Sequence, residues 1–119
     1  HGLDNLTMLL DLNNLQIDGH VTDICSLGDV PGKLGAFGWN VQVVDGHDVD
    51  AVKDALVKAG DVKGCPQAIV CCTVKGKGVS FMEDRQEWHG KAPNHEQAAI
   101  AIAELDAERV RLEEEVENG

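Results

Sequence analysis

Three short apolar segments, separated by stretches with helical spacing or by loops, most constrain the fold of this 119-residue chain. The segments cover residues 6–12, 39–44 and 67–74, and polar or glycine-rich residues follow each of them. Apolar runs of this length, bounded by turn residues, are typical of strands. Strands that alternate with helices are joined by crossovers and form a parallel sheet. We therefore predict an α/β fold, with a parallel sheet flanked by helices.

Capping residues mark where the predicted helices begin and end. Asp48 precedes a segment with helical spacing, and Gly60 is a natural stop for that helix. Asn94 stands three residues before Gln97, which is the spacing of a capping box and predicts the start of the last helix. A short helix across residues 32–37 is also predicted, although its glycines weaken it.

The last predicted helix carries one apolar stripe, which a single arginine interrupts. The stripe consists of Ala98, Ile102, Leu105, Leu112 and Val116, and the arginine is Arg109. Ala98, Ile102 and Leu105 can pack against the sheet or dock a partner, and we expect them to pack. The final residues of the chain are strongly acidic.

The net charge of −11 restricts the classes of partner. Binding to nucleic acid or to an anionic membrane surface depends on clustered Lys and Arg, so we expect neither partner. No apolar segment approaches the length of a membrane span. A single ligand with a phosphate group remains compatible with this charge, because local donors can hold it.

The four cysteines, Cys25, Cys65, Cys71 and Cys72, include no C-x-x-C pair. This spacing argues against a zinc site, so we predict buried free thiols in a reducing cytoplasm. Cys71 and Cys72 are neighbours in an apolar run, and in a strand their side chains point to opposite faces.

Two polar loops follow predicted strands, and the carboxyl ends of parallel strands are where ligands bind. The first begins at Asn13. Its carboxamide oxygen and the main-chain carbonyl two residues on, at Leu15, offer two of the six oxygen ligands that Mg²⁺ prefers. A simple Asn13-Asn14 turn is the alternative interpretation.

The second loop, from Lys75 to Gly78, contains two glycines that let the backbone approach a ligand closely. It matches neither a Walker loop nor a dinucleotide fingerprint, and a plain glycine turn explains it equally well. Further on, His89 lies in a loop beside Gly90. An imidazole there can donate to a phosphate or orient a substrate hydroxyl, or it can be exposed without a role.

Taken together in order and spacing, four segments resemble transketolases, of the bacterial and archaeal kind in which the enzyme can be split into two polypeptides. The segments are residues 11–19, residues 37–39 with 44–48, residues 73–83 and residues 87–94. The similarity covers residues 2–105. It implies the second half of a thiamine-diphosphate-binding domain over residues 1–105, followed by an acidic helical extension over 106–119.

The resemblance also implies roles for individual residues. Asn13 would bind Mg²⁺ and touch the cofactor diphosphate, and Leu15 would offer its carbonyl to the same ion. Lys75 and Gly76 would line the cofactor site. His89 would contact both the diphosphate and the substrate. Asn14 stands where the family more often has glycine.

The implied reaction is transfer of a two-carbon ketol unit between sugar phosphates. The family's Gly-Asp-Gly motif, whose aspartate is the other Mg²⁺ ligand, does not occur in these 119 residues. We therefore expect the sequence to begin inside a larger fold, because a strand already starts near residue 6. We also expect the chain to be inactive without the remainder of the enzyme, which carries the upstream segment and the pyrimidine-binding domain. A homo- or hetero-oligomer is expected by the same analogy.

Two alternatives remain open. One is another thiamine-diphosphate enzyme, such as a deoxyxylulose-phosphate synthase, although residues 88–93 favour a transketolase. The other is a non-catalytic interaction domain that kept the fold and lost the site.

Overall fold

The computed structural model describes residues 1–118, and its elements follow the predicted alternation. In chain order they are β1 (Thr7–Leu12), β2 (Leu15–Gln16), β3 (Gly19–His20), α1 (Val21–Ile24), α2 (Val30–Ala36), β4 (Asn40–Asp45), α3 (Val49–Asp61), β5 (Gln67–Cys72) and α4 (His95–Asn118). The chain divides into two compact units. One comprises His1–Asn14 and Val21–Thr73, and the other comprises Leu15–His20 and the residues from Val74 onward.

The first unit contains the predicted parallel sheet, in the order β1-β5-β4. Both neighbours of β5 run parallel to it. Leu12 and Asp45 each align with Cys72 in this register, so the carboxyl ends of all three strands meet at one edge. The helix α3 connects β4 to β5 as the crossover that parallel neighbours require. The α/β class with a parallel sheet is therefore confirmed.

The core of the first unit lies on the central strand β5. Ile69 is fully buried and forms a cluster with Ala55 and Ala59 of α3, while Val44 and Val52 pack against this cluster. Because β5 has a partner strand on each side, its side chains are shielded far better than those of β1 or β4.

One polar side chain, Gln67, is fully buried at the start of β5. Its carbonyl oxygen accepts a hydrogen bond from Asn40 at 2.6 Å, and its amide donates to the carbonyl of Cys65 at 2.9 Å. Both ends of the amide are thus bonded, which compensates for its removal from water.

The predicted helix boundaries are correct to within about two residues. Asp48 caps α3 by accepting from the amide of Ala51 at 2.9 Å, and the helix ends at Asp61, one residue beyond the predicted stop. Asn94 and Gln97 form the predicted capping box, with reciprocal bonds of 2.8 and 3.0 Å. The short predicted helix is α2, which begins two residues earlier than expected.

The second unit contains the antiparallel pair β2–β3, a series of turns and the long helix α4. Val79 and Ala101 are its buried apolar residues within the described chain. Ile102 is 59% exposed and Leu105 is 48% exposed, so the expectation that the apolar stripe of α4 packs into a core is wrong for these two residues.

All four thiols are free, but burial was predicted correctly only for Cys71. Cys25 and Cys72 are exposed. The last residue of β5 lies beyond the shielded part of the strand, so Cys72 faces outward while Cys71 faces the core, as strand alternation predicts. Across residues 1–118, no helix combines the length and the apolar composition needed to cross a bilayer.

Candidate functional site

The carboxyl edge of the β1-β5-β4 sheet is built by backbone hydrogen bonds that continue past the strands. The amide of Thr73 donates to the carbonyl of Leu12 at 3.2 Å, and the amide of Gly46 donates to the carbonyl of Cys72 at 2.8 Å. The segments that leave β1, β4 and β5 are therefore held next to one another. Edges of this kind are the usual ligand sites of parallel sheets.

Two polar side chains reinforce this edge. The hydroxyl of Thr73 donates to the carboxylate of Asp11 across the β1–β5 pair.

Burial raises the pKa of the neighbouring Cys71 thiol, and the charges of Asp11 and Cys72 raise it further. The thiol therefore stays protonated near neutral pH, which argues against a nucleophilic role for Cys71.

Gly46 stands where the edge is most crowded. A Cβ at this position would lie 3.0 Å from the Cβ of Cys71 and 3.2 Å from the carbonyl oxygen of Cys72. Any larger residue would push the segment after β4 away from β5. Beyond it, the carboxylate of Asp45 accepts from the amide of His47 at 2.8 Å and fixes the turn into α3.

Asn13 and Asn14 follow β1 directly. Asn14 has a left-handed backbone conformation, with φ of 56°, and its carbonyl accepts from the amide of Val21 at 2.9 Å. A cavity of about 260 Å³ lies beside Asn14, with Leu12 and Val30 among its lining residues. Asn13 is half-buried between the strand and this turn. The chain therefore bends at Asn14, as the turn interpretation expects, and the bend leaves a ligand role for the Asn13 carboxamide open.

Leu15 opens β2 in the second unit, where it pairs with His20. Next to it, the side-chain amide nitrogen of Gln16 is buried and has no hydrogen-bond partner within residues 1–118. An unpaired buried donor is costly, so this position is one where a further acceptor would be stabilising.

The loop from Lys75 onward is a tightly bonded series of turns. The carbonyl of Lys75 accepts from the amide of Asp84 at 2.9 Å. Gly76 has a positive φ of 73°, and a Cβ there would lie 2.6 Å from the carbonyl oxygen of Met82. The glycine is therefore required both by its backbone conformation and by the close approach of the opposite side of the loop.

Glu83 holds the tip of the same loop. Its carboxylate accepts from the amide of Gly78 at 3.0 Å and lies 3.5 Å from the ammonium group of Lys77. Below it, Glu104 of α4 accepts from both the amide and the hydroxyl of Ser80, and these bonds lower the pKa of Glu104. The loop is thus attached to the helix within the second unit.

His89 is exposed, and its neighbours fix its backbone. Its amide donates to the carbonyl of Gln86 at 2.9 Å. The indole of Trp88 donates to the carbonyl of Phe81 at 2.9 Å, and the two rings are 5.2 Å apart. The ammonium group of Lys91 lies 4.8 Å from the Trp88 ring centre, in cation–π geometry. The imidazole therefore stands on an anchored segment with its ring open to a ligand.

The predicted site residues fall into two groups. Lys75, Gly76 and His89 belong to the turns of the second unit, as does Leu15, while Asn13 lies at the sheet edge of the first unit. Within residues 1–118, no three or more His, Cys, Asp or Glu side chains are grouped so that they could hold a metal ion.

Sequence reasoning missed the Asp11–Thr73 hydrogen bond and the crowding at Gly46. The first joins residues 62 positions apart, so no local pattern reveals it. The second had a signal, because Asp45-Gly46 follows a strand, but a glycine turn and a close approach have the same sequence signature.

A sequence model of the family described as "Transketolase, thiamine diphosphate binding domain" matches residues 1–113. The chain is 40% identical over 106 residues to the 6-deoxy-6-sulfo-D-fructose transketolase subunit SqwG of Clostridium sp. (strain MSTE9). It is 38% identical over 106 residues to a subunit of the apulose-4-phosphate transketolase of Actinobacillus succinogenes. In each case the match covers 89% of this chain and 38% of the relative, so the chain spans well under half of these proteins.

Solved structures agree with this assignment. The transketolase of Campylobacter jejuni superposes with a TM-score of 0.73 at 29% identity, over 85% of this chain and 16% of that chain. The transketolase from Leishmania mexicana, at 24% identity and a TM-score of 0.68, supports the fold over 95% of this chain and 21% of that one. The chain therefore belongs to the transketolase family and forms part of its thiamine diphosphate-binding domain.

Proposed function

We propose that this chain is the part of a transketolase that holds the diphosphate end of thiamine diphosphate and one face of the substrate. The assembly would transfer a two-carbon ketol unit between sugar phosphates. The observation that carries this proposal is the family match over residues 1–113, which includes every predicted site residue. The cofactor, when bound, supplies the reactive carbon, and the protein supplies binding and orientation.

Asn13 and Leu15 are the proposed contacts to Mg²⁺ and the diphosphate. Asn13 lies directly after β1 at the carboxyl edge of a parallel sheet, and carboxamide and carbonyl oxygens suit a hard cation. These two donors are neutral, whereas protein Mg²⁺ sites normally include a carboxylate. The donor chemistry therefore fits half of a magnesium site. We propose that the remaining carboxylate comes from another part of the assembly.

Lys75, Gly76 and His89 are the proposed contacts on the second unit. Gly76 lets two stretches of the loop's own backbone lie close together, which fixes the shape of the loop that would line the cofactor site. The exposed imidazole of His89 can donate to a phosphate oxygen and to a sugar hydroxyl. Because Trp88 anchors the segment, His89 would lose little backbone freedom when it binds.

The two bacterial relatives described above are named as subunits of transketolases, which supports a further polypeptide or segment as the partner of this chain. We propose that residues 1–119 are inactive alone and act in a homo- or hetero-oligomer. A cytoplasmic location is part of the proposal, because two of the four free thiols are exposed and free thiols persist in reducing compartments. Both bacterial relatives are named as transketolase subunits, which favours a transketolase over a deoxyxylulose-phosphate synthase.

The test is a chimera in which this chain replaces the matching segment of the Campylobacter jejuni transketolase. Thiamine diphosphate binding in the presence of Mg²⁺ is measured by calorimetry, and ketol transfer is measured by a coupled assay. We expect Asn13→Ala to raise the cofactor Kd by about tenfold or more, by analogy with the loss that follows removal of groups supporting a metal site. Unchanged affinity would show that Asn13 is not a ligand.

Matched controls exist for both key residues. Asn5 precedes β1 at its opposite end, so Asn5→Ala removes the same side chain from the far edge of the sheet and is expected to leave the cofactor Kd unchanged. His95 begins α4, and His95→Ala controls for His89→Ala. We expect only His89→Ala to lower kcat/KM. Equal effects of the two histidine variants would contradict the assigned role.

A further inference from the structure

The second half of α4 carries apolar side chains that are about half exposed or more. Leu105 and Leu112 are 48% and 47% exposed, and Val116 is 82% exposed. These three residues line a groove along the helix, together with Glu108, Arg109, Glu113 and Glu117. The helix is continuous through this segment, from His95 to Asn118. The groove is therefore a formed surface on a regular element.

Three groove residues, Leu105, Leu112 and Val116, continue an apolar stripe that begins earlier in α4 and has the spacing of a coiled-coil seam. Ala98, Ile102, Leu105, Arg109, Leu112 and Val116 are separated alternately by four and three residues. This spacing places Ile102, Arg109 and Val116 at a positions and Ala98, Leu105 and Leu112 at d positions of a heptad. Apolar residues at a and d positions form one narrow seam along the helix, which is a geometry that suits packing against another helix.

The positions that flank the seam carry only one sign of charge. Four charged residues stand at e and g positions, and all are acidic: Asp106, Glu108, Glu113 and Glu115. From residue 105 to residue 118 there are six carboxylates and two arginines, which gives this segment a net charge of −4. Such a surface attracts a partner with basic flanks.

The two arginines of the segment are bonded within the helix. Arg109 lies 3.5 Å from Asp106 and 3.0 Å from Glu113. Arg111 pairs with Glu108 at 2.6 Å and also with Glu115. These pairs at i,i+3 and i,i+4 support an exposed helix without tertiary contacts. Both arginines therefore have partners within the helix, whereas Leu112 and Val116 remain 47% and 82% exposed.

A second copy of this chain does not suit the seam. In a parallel pair, Arg109 would face Arg109, and acidic g positions would face acidic e positions. In an antiparallel pair, e would face e and g would face g, so carboxylates would again oppose carboxylates. Like charges directly opposite each other are destabilising and suppress that pairing.

We propose that this groove docks a basic amphipathic helix of a different polypeptide. That helix would present apolar residues at its own a and d positions and Lys or Arg at its e and g positions. It would place an acidic residue opposite Arg109, because a single charged a position specifies register. The surface lies in α4 outside the proposed cofactor residues, so this inference stands or falls independently of the proposed function.

The probe is a synthetic peptide of about 21 residues, or three heptads, with Leu at a and d, Lys at e and g and one Glu placed to meet Arg109. Binding of the labelled peptide to the full 119-residue chain is followed by fluorescence anisotropy. We expect saturable binding with one peptide per chain, weakened severalfold when the salt concentration rises from about 0.05 to about 0.5 M. A control peptide with Glu at e and g is expected not to bind.

A charge exchange tests the register. Arg109→Glu should weaken binding of the Glu-bearing peptide by roughly tenfold. A second peptide, with Arg in place of that Glu, should restore the affinity, which also shows that the variant is folded. Leu112→Glu should abolish binding of both peptides while the circular dichroism of the helix is unchanged.

Three results would overturn the proposal. Equal binding of a scrambled peptide with the same composition would reduce the effect to non-specific attraction between opposite charges. Unchanged peptide binding in both Arg109→Glu and Leu112→Glu would show that the peptide binds at another surface. Dimers of the unmodified chain that Leu112→Glu dissociates, seen by light scattering, would make a second copy the occupant.

Discussion

Gly76 offers the sharpest test of the loop geometry, because alanine there meets two separate penalties. The first is conformational, since the φ of 73° is unfavourable for any residue with a Cβ. The second is steric, because the new Cβ would lie 2.6 Å from the carbonyl oxygen of Met82 and 2.9 Å from its Cβ. Since the obstructing atoms are mostly backbone, the loop itself has to move.

A matched control separates the two penalties. Gly64 has a φ of 83°, similar to that of Gly76, but a Cβ there would meet nothing within 4 Å. The positive φ alone costs about 1 kcal/mol once the reduced entropy of the unfolded chain is subtracted. The forced contact at Gly76 adds roughly 1–3 kcal/mol, the usual cost of overpacking. Gly76→Ala should therefore destabilise the chain by about 2–4 kcal/mol and Gly64→Ala by about 1 kcal/mol.

Urea unfolding followed by circular dichroism measures the free energy of unfolding of both variants. In the chimera, the displaced loop should also weaken thiamine diphosphate binding for Gly76→Ala and leave it unchanged for Gly64→Ala. Equal losses of stability in the two variants would refute the close approach between Gly76 and Met82. A normal cofactor Kd for Gly76→Ala would remove this glycine from the proposed site.

Three further predictions concern the core, the aromatic anchor and one carboxylate. Ile69→Ala should cost about 2–5 kcal/mol of unfolding free energy, because it leaves a cavity in the fully buried centre of β5; a loss below about 1 kcal/mol in urea unfolding would contradict the packing. Trp88→Phe keeps an aromatic ring but removes the hydrogen bond to the carbonyl of Phe81, so it should lower the free energy of unfolding by about 1 kcal/mol. It should also broaden the proton NMR signals of His89, and an unchanged spectrum would argue against anchoring. Ser80→Ala should raise the pKa of Glu104 towards its ordinary value, because the lost hydroxyl stabilises the charged carboxylate. The rise should be partial, since the amide of residue 80 still donates to Glu104. Titration by carbon NMR measures the pKa, and an unchanged pKa would contradict the assignment.

The sign of the pH effect follows from the direction of that shift. The pKa of Glu104 is lower in the folded chain than in the unfolded one, because its carboxylate accepts from Ser80. The contribution of this pair is therefore present above the unfolded pKa and is lost as the pH falls through the folded pKa. Since Glu104 lies at the surface, solvent screening keeps the contribution small.

The sequence predicted the elements of the fold where the signal is local. The capping box at Asn94 and Gln97 and the N-cap at Asp48 are decided by residues three positions apart, and both are confirmed. The strand order β1-β5-β4 was not predicted, because each pairing joins distant residues with similar apolar patterns. The β2–β3 hairpin was missed as well, since strands of two residues have no periodicity.

The positions of the loops that carry the candidate site were predictable from the sequence, and their internal contacts were not. Both loops were predicted from their places after strands, and the structure adds how each is held: Asn14 has a left-handed conformation after β1, and Gly76 lies against Met82. The ligand roles of these loops stay predictions. The expectation that the apolar stripe of α4 packs into a core was wrong for two of its residues. Ile102 is 59% exposed and Leu105 is 48% exposed. The sequence could not show this, because an apolar stripe has the same spacing whether it is covered or exposed.

We propose that these residues supply one part of a transketolase site and depend on the remainder of the enzyme. The most direct measurement compares ketol transfer by the isolated 119-residue chain with transfer by the Campylobacter jejuni chimera, each with and without thiamine diphosphate and Mg²⁺. We predict no turnover by the isolated chain, and turnover by the chimera only when both are added. Turnover by the isolated chain, or chimera activity that does not require thiamine diphosphate, would contradict the account.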